Sequence, residues 1–306
     1  MNTRVTILKN SLLENIFFSN YFYGICAVAL SIEAALQQRF PLNNVLYFGL
    51  IFLTTVLYYA YPYIKKSRQS TNSRTNWYTK NYDLMRWQQI IISVILIVAG
   101  TLFVINYSDQ LLSIATVQWL LILIFPMTGA LYYGMGSLFA NYNIRKIGWL
   151  KPFIIGFTWA GLVTVYPVLF YDIMQMKDYE FTWVGTLLFL KNFMFITVLC
   201  IMFDIKDYAS DCFFSLKTFV VNHGLRKTIF NILLPLSGIG LISFIWYAVA
   251  HQFHVMRIVL NIIPFGLLVI VAYSLRKRRS LLFYLSIVDG LMLAKAICGT
   301  IAIKYF

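Results

Sequence analysis

Apolar residues run along this chain in long, nearly unbroken stretches, with neither the alternation of a half-buried strand nor the narrow stripe of a soluble amphipathic helix. A bilayer core of about 30 Å is crossed by roughly 20 apolar residues in helical form. Nine stretches fit that length: Phe17 to Gln37, Val45 to Ile64, Trp87 to Tyr107, Leu111 to Tyr133, Pro152 to Phe170, Phe181 to Phe203, Thr228 to Ala250, Ile258 to Leu275 and Ser280 to Ala302. The connectors between them are short, so no soluble domain is inserted. The pattern predicts one all-α, polytopic integral-membrane domain over residues 1–306 with nine transmembrane helices.

Composition agrees with the pattern. Of the 306 residues, 60% are hydrophobic and only 12% charged, against about a quarter charged in ordinary soluble domains. So large an apolar excess cannot be hidden in one water-soluble core, which excludes a soluble enzyme and a disordered chain. The net charge of +14 does not point to nucleic acid in this setting. With the amino terminus in the cytoplasm, 19 of the 25 Lys and Arg residues fall in cytoplasmic segments and 4 in outer ones, the asymmetry expected of a multi-pass protein in that orientation. The active-site loops described below then face the cytoplasm. Cys26, Cys200, Cys212 and Cys298 show no CxxC pair or metal-ligand spacing and read as small apolar fillers.

Carboxylates are scarce, so their placement carries information. Asp109, Asp172, Asp178 and Glu180 fall in outer loops, where solvation explains them. Asp204, Asp207 and Asp211 stand together at the cytoplasmic end of the sixth stretch. Their spacing of three, four and seven puts all three on one helical face. Like charges so placed repel unless neutralised, and hard carboxylate oxygens suit Mg²⁺. A solvated helix end with Lys206 and Lys217 as counter-ions satisfies the spacing equally well.

The residues that follow separate these readings. The run Asp204-Ile205-Lys206-Asp207-Tyr208-Ala209-Ser210-Asp211, continuing to Thr218 and Gly224, resembles the second aspartate motif of the UbiA superfamily of intramembrane prenyltransferases. In that pattern D-x-x-D-x-x-x-D is followed by Gly-x-x-Thr-Leu-Pro and then Gly. Ser215 stands at the place of the first Gly and Val220 at that of the Pro. The stretch Tyr142-Asn143-Ile144-Arg145-Lys146-Ile147-Gly148-Trp149, with Gly156, resembles the family's basic loop between its fourth and fifth helices. Nine helices with a cytoplasmic amino terminus is also the family's architecture. The first aspartate motif is missing: Tyr58-Tyr59-Ala60-Tyr61-Pro62-Tyr63-Ile64-Lys65-Lys66 occupies its place without a carboxylate.

The resemblance implies a UbiA-like bundle that moves an isoprenoid chain from a prenyl diphosphate to a lipophilic or aromatic acceptor within the lipid bilayer. It implies Mg²⁺ as cofactor on Asp204, Asp207 and Asp211, with Arg68, Arg74, Lys146, Lys151 and Lys217 neutralising the diphosphate. Loss of the first motif implies either that cations such as Lys65, Lys66, Arg68 and Arg74 stand in for a metal, or that the fold persists without turnover. A lipid transporter is the alternative of a different class, but no internal repeat supports it.

Lys191 and Asn192 lie midway along the sixth stretch. A charge at that depth is expensive and marks a buried polar site; the other reading is a structural ion pair of Lys191 with Glu33 or Asp289. His251 and His254 read as solvated loop residues.

Overall fold

The computed structural model describes residues 13–63, 73–133 and 147–306. Among these every regular element is helical. In chain order they are α1 (Tyr21–Gln37), α2 (Val45–Tyr63, its last three residues a 3₁₀ turn), α3 (Ser73–Lys80), α4 (Tyr82–Asn106), α5 (Ser108–Ser113), α6 (Thr116–Tyr133), α7 (Lys151–Met174), α8 (Trp183–Phe213), α9 (Phe219–Ala250), α10 (Val255–Ser274) and α11 (Leu281–Tyr305). Seven of them, α2, α4 and α7 to α11, are long and apolar enough to cross a membrane. The first and fourth predicted stretches appear as the shorter apolar helices α1 and α6. The chain is thus an all-helical protein of the multi-pass membrane type.

Two compact units divide it, residues 1–28 with 43–113, and residues 29–42 with 114–306. In the first, α4 exposes most of its apolar surface, including Ile91, Ile97 and Ile105. Such a surface is stable only against lipid or another apolar partner. Tyr78 of α3 is buried, stacks on Tyr63 at 4.9 Å and accepts a hydrogen bond from Asn20 Nδ2 at 3.0 Å. Helix α3 lies in what reads from sequence as a polar connector, where no apolar run announces it.

In the second unit α7 packs along α8. Membrane helices approach closely where small residues line the contact, and Gly156 provides such a place: a Cβ there would meet Thr197 Oγ1 and come within 3.0 Å of the Phe193 carbonyl. Helices α7 and α9 each contain a widened π-helical turn, Gly161–Val165 and Thr228–Leu233. Each turn lies just before a proline, Pro167 or Pro235. Proline lacks the N–H that would close the regular ladder, and a wider turn accommodates the loss without breaking the helix. In α7 the widened turn also lets the Thr164 carbonyl accept from Gln38 Nε2 at 3.0 Å.

One buried ion pair fastens the last helix of this unit. Lys295 Nζ lies 2.6 Å from Glu33 Oε2, and both side chains are almost fully buried. Glu33 is therefore paired with Lys295, and the alternative reading in which it pairs with Lys191 is not met. Asp172, expected in a solvated outer loop, is instead buried near the end of α7.

Candidate functional site

The predicted sixth stretch ends at Phe203, but α8 continues ten residues further, through Phe213. Asp204, Asp207 and Asp211 are consequently all helical, in the last turns of one 31-residue helix. Their environments differ. Asp204 is fully buried, and its Oδ1 accepts from Lys151 Nζ at 3.0 Å. Its Oδ2 is buried without a hydrogen-bond partner among the described residues. Asp211 is also buried, whereas Asp207 is partly exposed and pairs with Lys206 at 2.8 Å.

The chain then turns sharply. Ser215 has φ 53°, a left-handed conformation that glycine adopts most readily. Thr218 follows as the amino-terminal cap of α9, its Oγ1 accepting from the Val221 N–H at 3.4 Å. Gly224 has φ 78° and forms a kink inside α9 that a residue with a Cβ would strain. These are three local reasons for small or capping residues at the positions that stood out in the sequence.

Two stretches far apart in sequence meet here. A Cβ on Gly148 would come within 2.7 Å of the Thr218 backbone nitrogen and 2.8 Å of the Lys217 carbonyl carbon. The chain segment entering α7 therefore lies against the turn entering α9. Three residues later α7 begins, and Lys151, its first residue, reaches Asp204. A burial this deep would be unfavourable for Asp204 alone; the facing ammonium makes it tolerable.

The other residues singled out from sequence are distributed as follows. Lys217 is exposed at the same turn. Arg74 belongs to the first unit and is buried on α3. Its Nε and Nη2 donate to the Phe18 carbonyl at 3.3 and 3.2 Å, Nη2 also bonds Asn20 Oδ1, and its guanidinium lies 4.7 Å from the Tyr63 ring centre. It is thus a packing residue of that unit, not a cation on an open loop. Arg68 and Lys146, with Lys65 and Lys66, lie outside the described residues. Lys191 and Asn192, adjacent in sequence, face different partners. Asn192 Nδ2 donates to Thr164 Oγ1 at 2.8 Å, while Lys191 Nζ donates to Asn261 Oδ1 at 3.0 Å. Lys151 was legible only through its charge; nothing in sequence identified it as the partner of Asp204.

Mg²⁺ demands close to octahedral oxygen coordination and keeps several waters, taking one or two carboxylates and substrate phosphates for the rest. Among the described residues no three His, Cys, Asp or Glu side chains converge into a metal-holding group. The triad therefore does not form a three-carboxylate cage. What fits is a single buried oxygen, Asp204 Oδ2, as one ligand in a shell otherwise made of phosphate and water.

Compared with protein-family models, with curated protein sequences and with solved structures, the chain matches none.

Proposed function

We propose that this chain is a membrane prenyltransferase of the UbiA type, built on nine membrane helices, that moves an isoprenoid from its diphosphate to a lipophilic acceptor. The observation that carries the reading is the meeting of two separate motif stretches: Gly148 against Lys217 and Thr218, and Lys151 against Asp204. Each stretch resembles the family's pattern through its own residues, and a solvated helix end would not require the two to meet.

In this reading the diphosphate binds at the exit of α8. Lys151 donates to its oxygens, with Lys217 at the same turn adding positive charge. Asp204 would hold a Mg²⁺ ion on the diphosphate through its free Oδ2, and that ion would supply Lewis-acid stabilisation of the leaving group. The bond between the allylic carbon and the diphosphate oxygen breaks, the diphosphate leaves with the electron pair, and the acceptor bonds to the carbon and loses a proton. Burial of Asp204 beside Lys151 excludes water from the charged end, which strengthens each of these contacts.

A second reading, the same fold without turnover, is favoured by Arg74. One of the cations expected to replace the missing first motif is buried in packing with Phe18, Asn20 and Tyr63.

Titration of the purified protein with a non-hydrolysable prenyl diphosphate, with and without Mg²⁺, tests the proposal. Binding strengthened by Mg²⁺ is expected, and Asp204→Asn removes the Mg²⁺-dependent part. A wild type that binds in neither condition overturns the transferase reading. Binding without prenylation of any extracted membrane lipid or quinone precursor leaves the fold without turnover.

A further inference from the structure

The opposite end of α8 holds a second feature that the transferase reading does not use. A cavity of about 550 Å³ opens between the first half of α8, the later part of α9, the start of α10 and the residues that end α1. All of these belong to the second unit. The volume falls within the range of small-molecule sites.

Its charge is one-sided. Lys191, Arg39 and Arg257 line it, and no Asp or Glu is among its lining residues. Lys191 Nζ donates to a neutral acceptor, Asn261 Oδ1, and lies 5.0 Å from the ring of Phe244. Arg257 lies over the Phe253 ring at 4.1 Å. Glu33, the acid closest in sequence to Arg39, is already held by Lys295. None of the three cations forms an ion pair among the described residues. Lys191 lies nine residues beyond the Thr182 cap, which is about 13 Å along the helix axis. Cations at such depth in an apolar span face a cavity or a partner that neutralises them. The rest of the lining includes apolar side chains, with Leu187, Leu190 and Met194 flanking Lys191 on α8 and Phe244 on α9.

We propose that this cavity binds an amphiphile through a phosphate head, with Lys191, Arg39 and Arg257 on the phosphate and the hydrocarbon chain along the apolar wall of α8. Guanidinium groups pair with phosphate oxygens through two parallel hydrogen bonds, and an ammonium adds a point charge. A phosphate monoester carries close to two negative charges at neutral pH, which offsets most of the three positive ones. The apolar wall gives an alkyl chain contacts that a free inorganic ion would leave unused. The site lies thirteen residues from Asp204 along α8, about 20 Å, and the inference stands whether or not the triad supports transfer.

Decyl phosphate, inorganic phosphate and decanol serve as probes, with binding and melting temperature measured on the full chain in maltoside micelles without Mg²⁺. Wild-type protein should bind decyl phosphate and melt at a higher temperature with it. Lys191→Met should weaken that binding at least tenfold and abolish the melting shift, and Lys191→Arg should restore both in large part. Without ligand, Lys191→Met should melt no lower than wild type, since it removes an uncompensated charge. Arg257→Gln should weaken binding several-fold. Equal affinity of Lys191→Met and wild type for decyl phosphate overturns the proposal. Inorganic phosphate binding as tightly as decyl phosphate replaces the amphiphile with a free anion, and decanol doing so removes the role of the cations; either result also overturns it.

Discussion

Replacing Lys295 by Met tests how the second unit is held together. The change removes one partner of a pair whose side chains are 3% and 0% exposed. At 2.6 Å and an effective dielectric near 20, the Coulomb attraction is about 6 kcal/mol. The desolvation of two buried ions is several kcal/mol each, so the pair as a whole contributes little net stability. The asymmetry lies in breaking it. Lys295→Met leaves Glu33 buried with Gln37 Nε2 donating to its Oε1 at 2.6 Å, and Glu33 has little room to turn, because a Cβ at Gly299 would already be 2.7 Å from its Cγ. The expected loss is about 3–5 kcal/mol. Glu33→Gln with Lys295→Met should recover most of it, leaving the double variant within about 1 kcal/mol of wild type. Unfolding in mixed dodecyl sulfate–maltoside micelles, followed by tryptophan emission, gives the four free energies of the cycle. Strictly additive single losses, or a Lys295→Met variant as stable as wild type, would refute the argument that the charge is uncompensated rather than simply repacked.

Further outcomes follow from other contacts. Gly156→Ala brings a methyl group against Thr197 and the Phe193 carbonyl, and should destabilise by about 1–3 kcal/mol through overpacking; Gly238→Ala, with nothing within 4 Å, should be neutral or slightly stabilising in the same unfolding assay. Burial pushes the Tyr78 phenol up to about 12, with Arg74 and Asn20 drawing it partly back. Because the folded state holds this proton more tightly, its contribution is complete below pH 10 and lost as pH rises through about 12, up to about 3 kcal/mol; Tyr78→Phe should flatten that part of the pH profile of unfolding, and an unchanged slope counts against it. On a cysteine-free background, Asp109→Cys and Asp178→Cys should react with an impermeant thiol reagent from the same, outer side. If they label from opposite sides, α6 does not cross the membrane, and labelling of position 178 from the cytoplasm reverses the orientation.

The long helices were legible because burial in a bilayer demands apolar residues continuously, and nothing else in a protein sequence does so over 20 positions. Their ends were less legible, for physical reasons that differ from case to case. Helix α8 outlasts its apolar run because Asp204 to Ser210 keep the helical ladder after the hydropathy has changed. Helix α9 begins nine residues before the apolar stretch at Thr228, because Thr218 caps it and its first turns are polar. Helix α3 is mostly polar apart from Trp77 and Tyr78, and it is held by tertiary contacts of Tyr78 and Arg74 that no periodicity encodes. The triad's common face was readable from its spacing. Its counter-ion was not, since Lys151 and Asp204 are 53 positions apart, and Lys295 and Glu33 262 apart. A buried charge announces that it needs a partner, but only the packing decides which.

That decision separates the roles of the buried lysines. Lys151 and Lys295 are each within hydrogen-bond distance of a buried carboxylate, Asp204 and Glu33. An ion pair so enclosed is neutral to its surroundings, and fixing geometry is a sufficient reason for Lys295. Lys151 differs because its carboxylate keeps a second oxygen buried without a partner; a pair with an unsatisfied oxygen is incomplete and gains from a ligand that brings a cation or a donor. Lys191 differs again, since its acceptor is neutral and the cavity beside it adds two further cations. The two sites sit toward opposite ends of α8, one with a buried carboxylate oxygen left without a hydrogen-bond partner among the described residues and the other with three cations and no lining carboxylate. A helix of 31 residues spans about 46 Å, longer than the hydrocarbon core, so both ends can reach the interfacial zones where charged headgroups lie. Under the two proposals made above, one end of α8 would hold an anion together with a metal and the other end a bare anion.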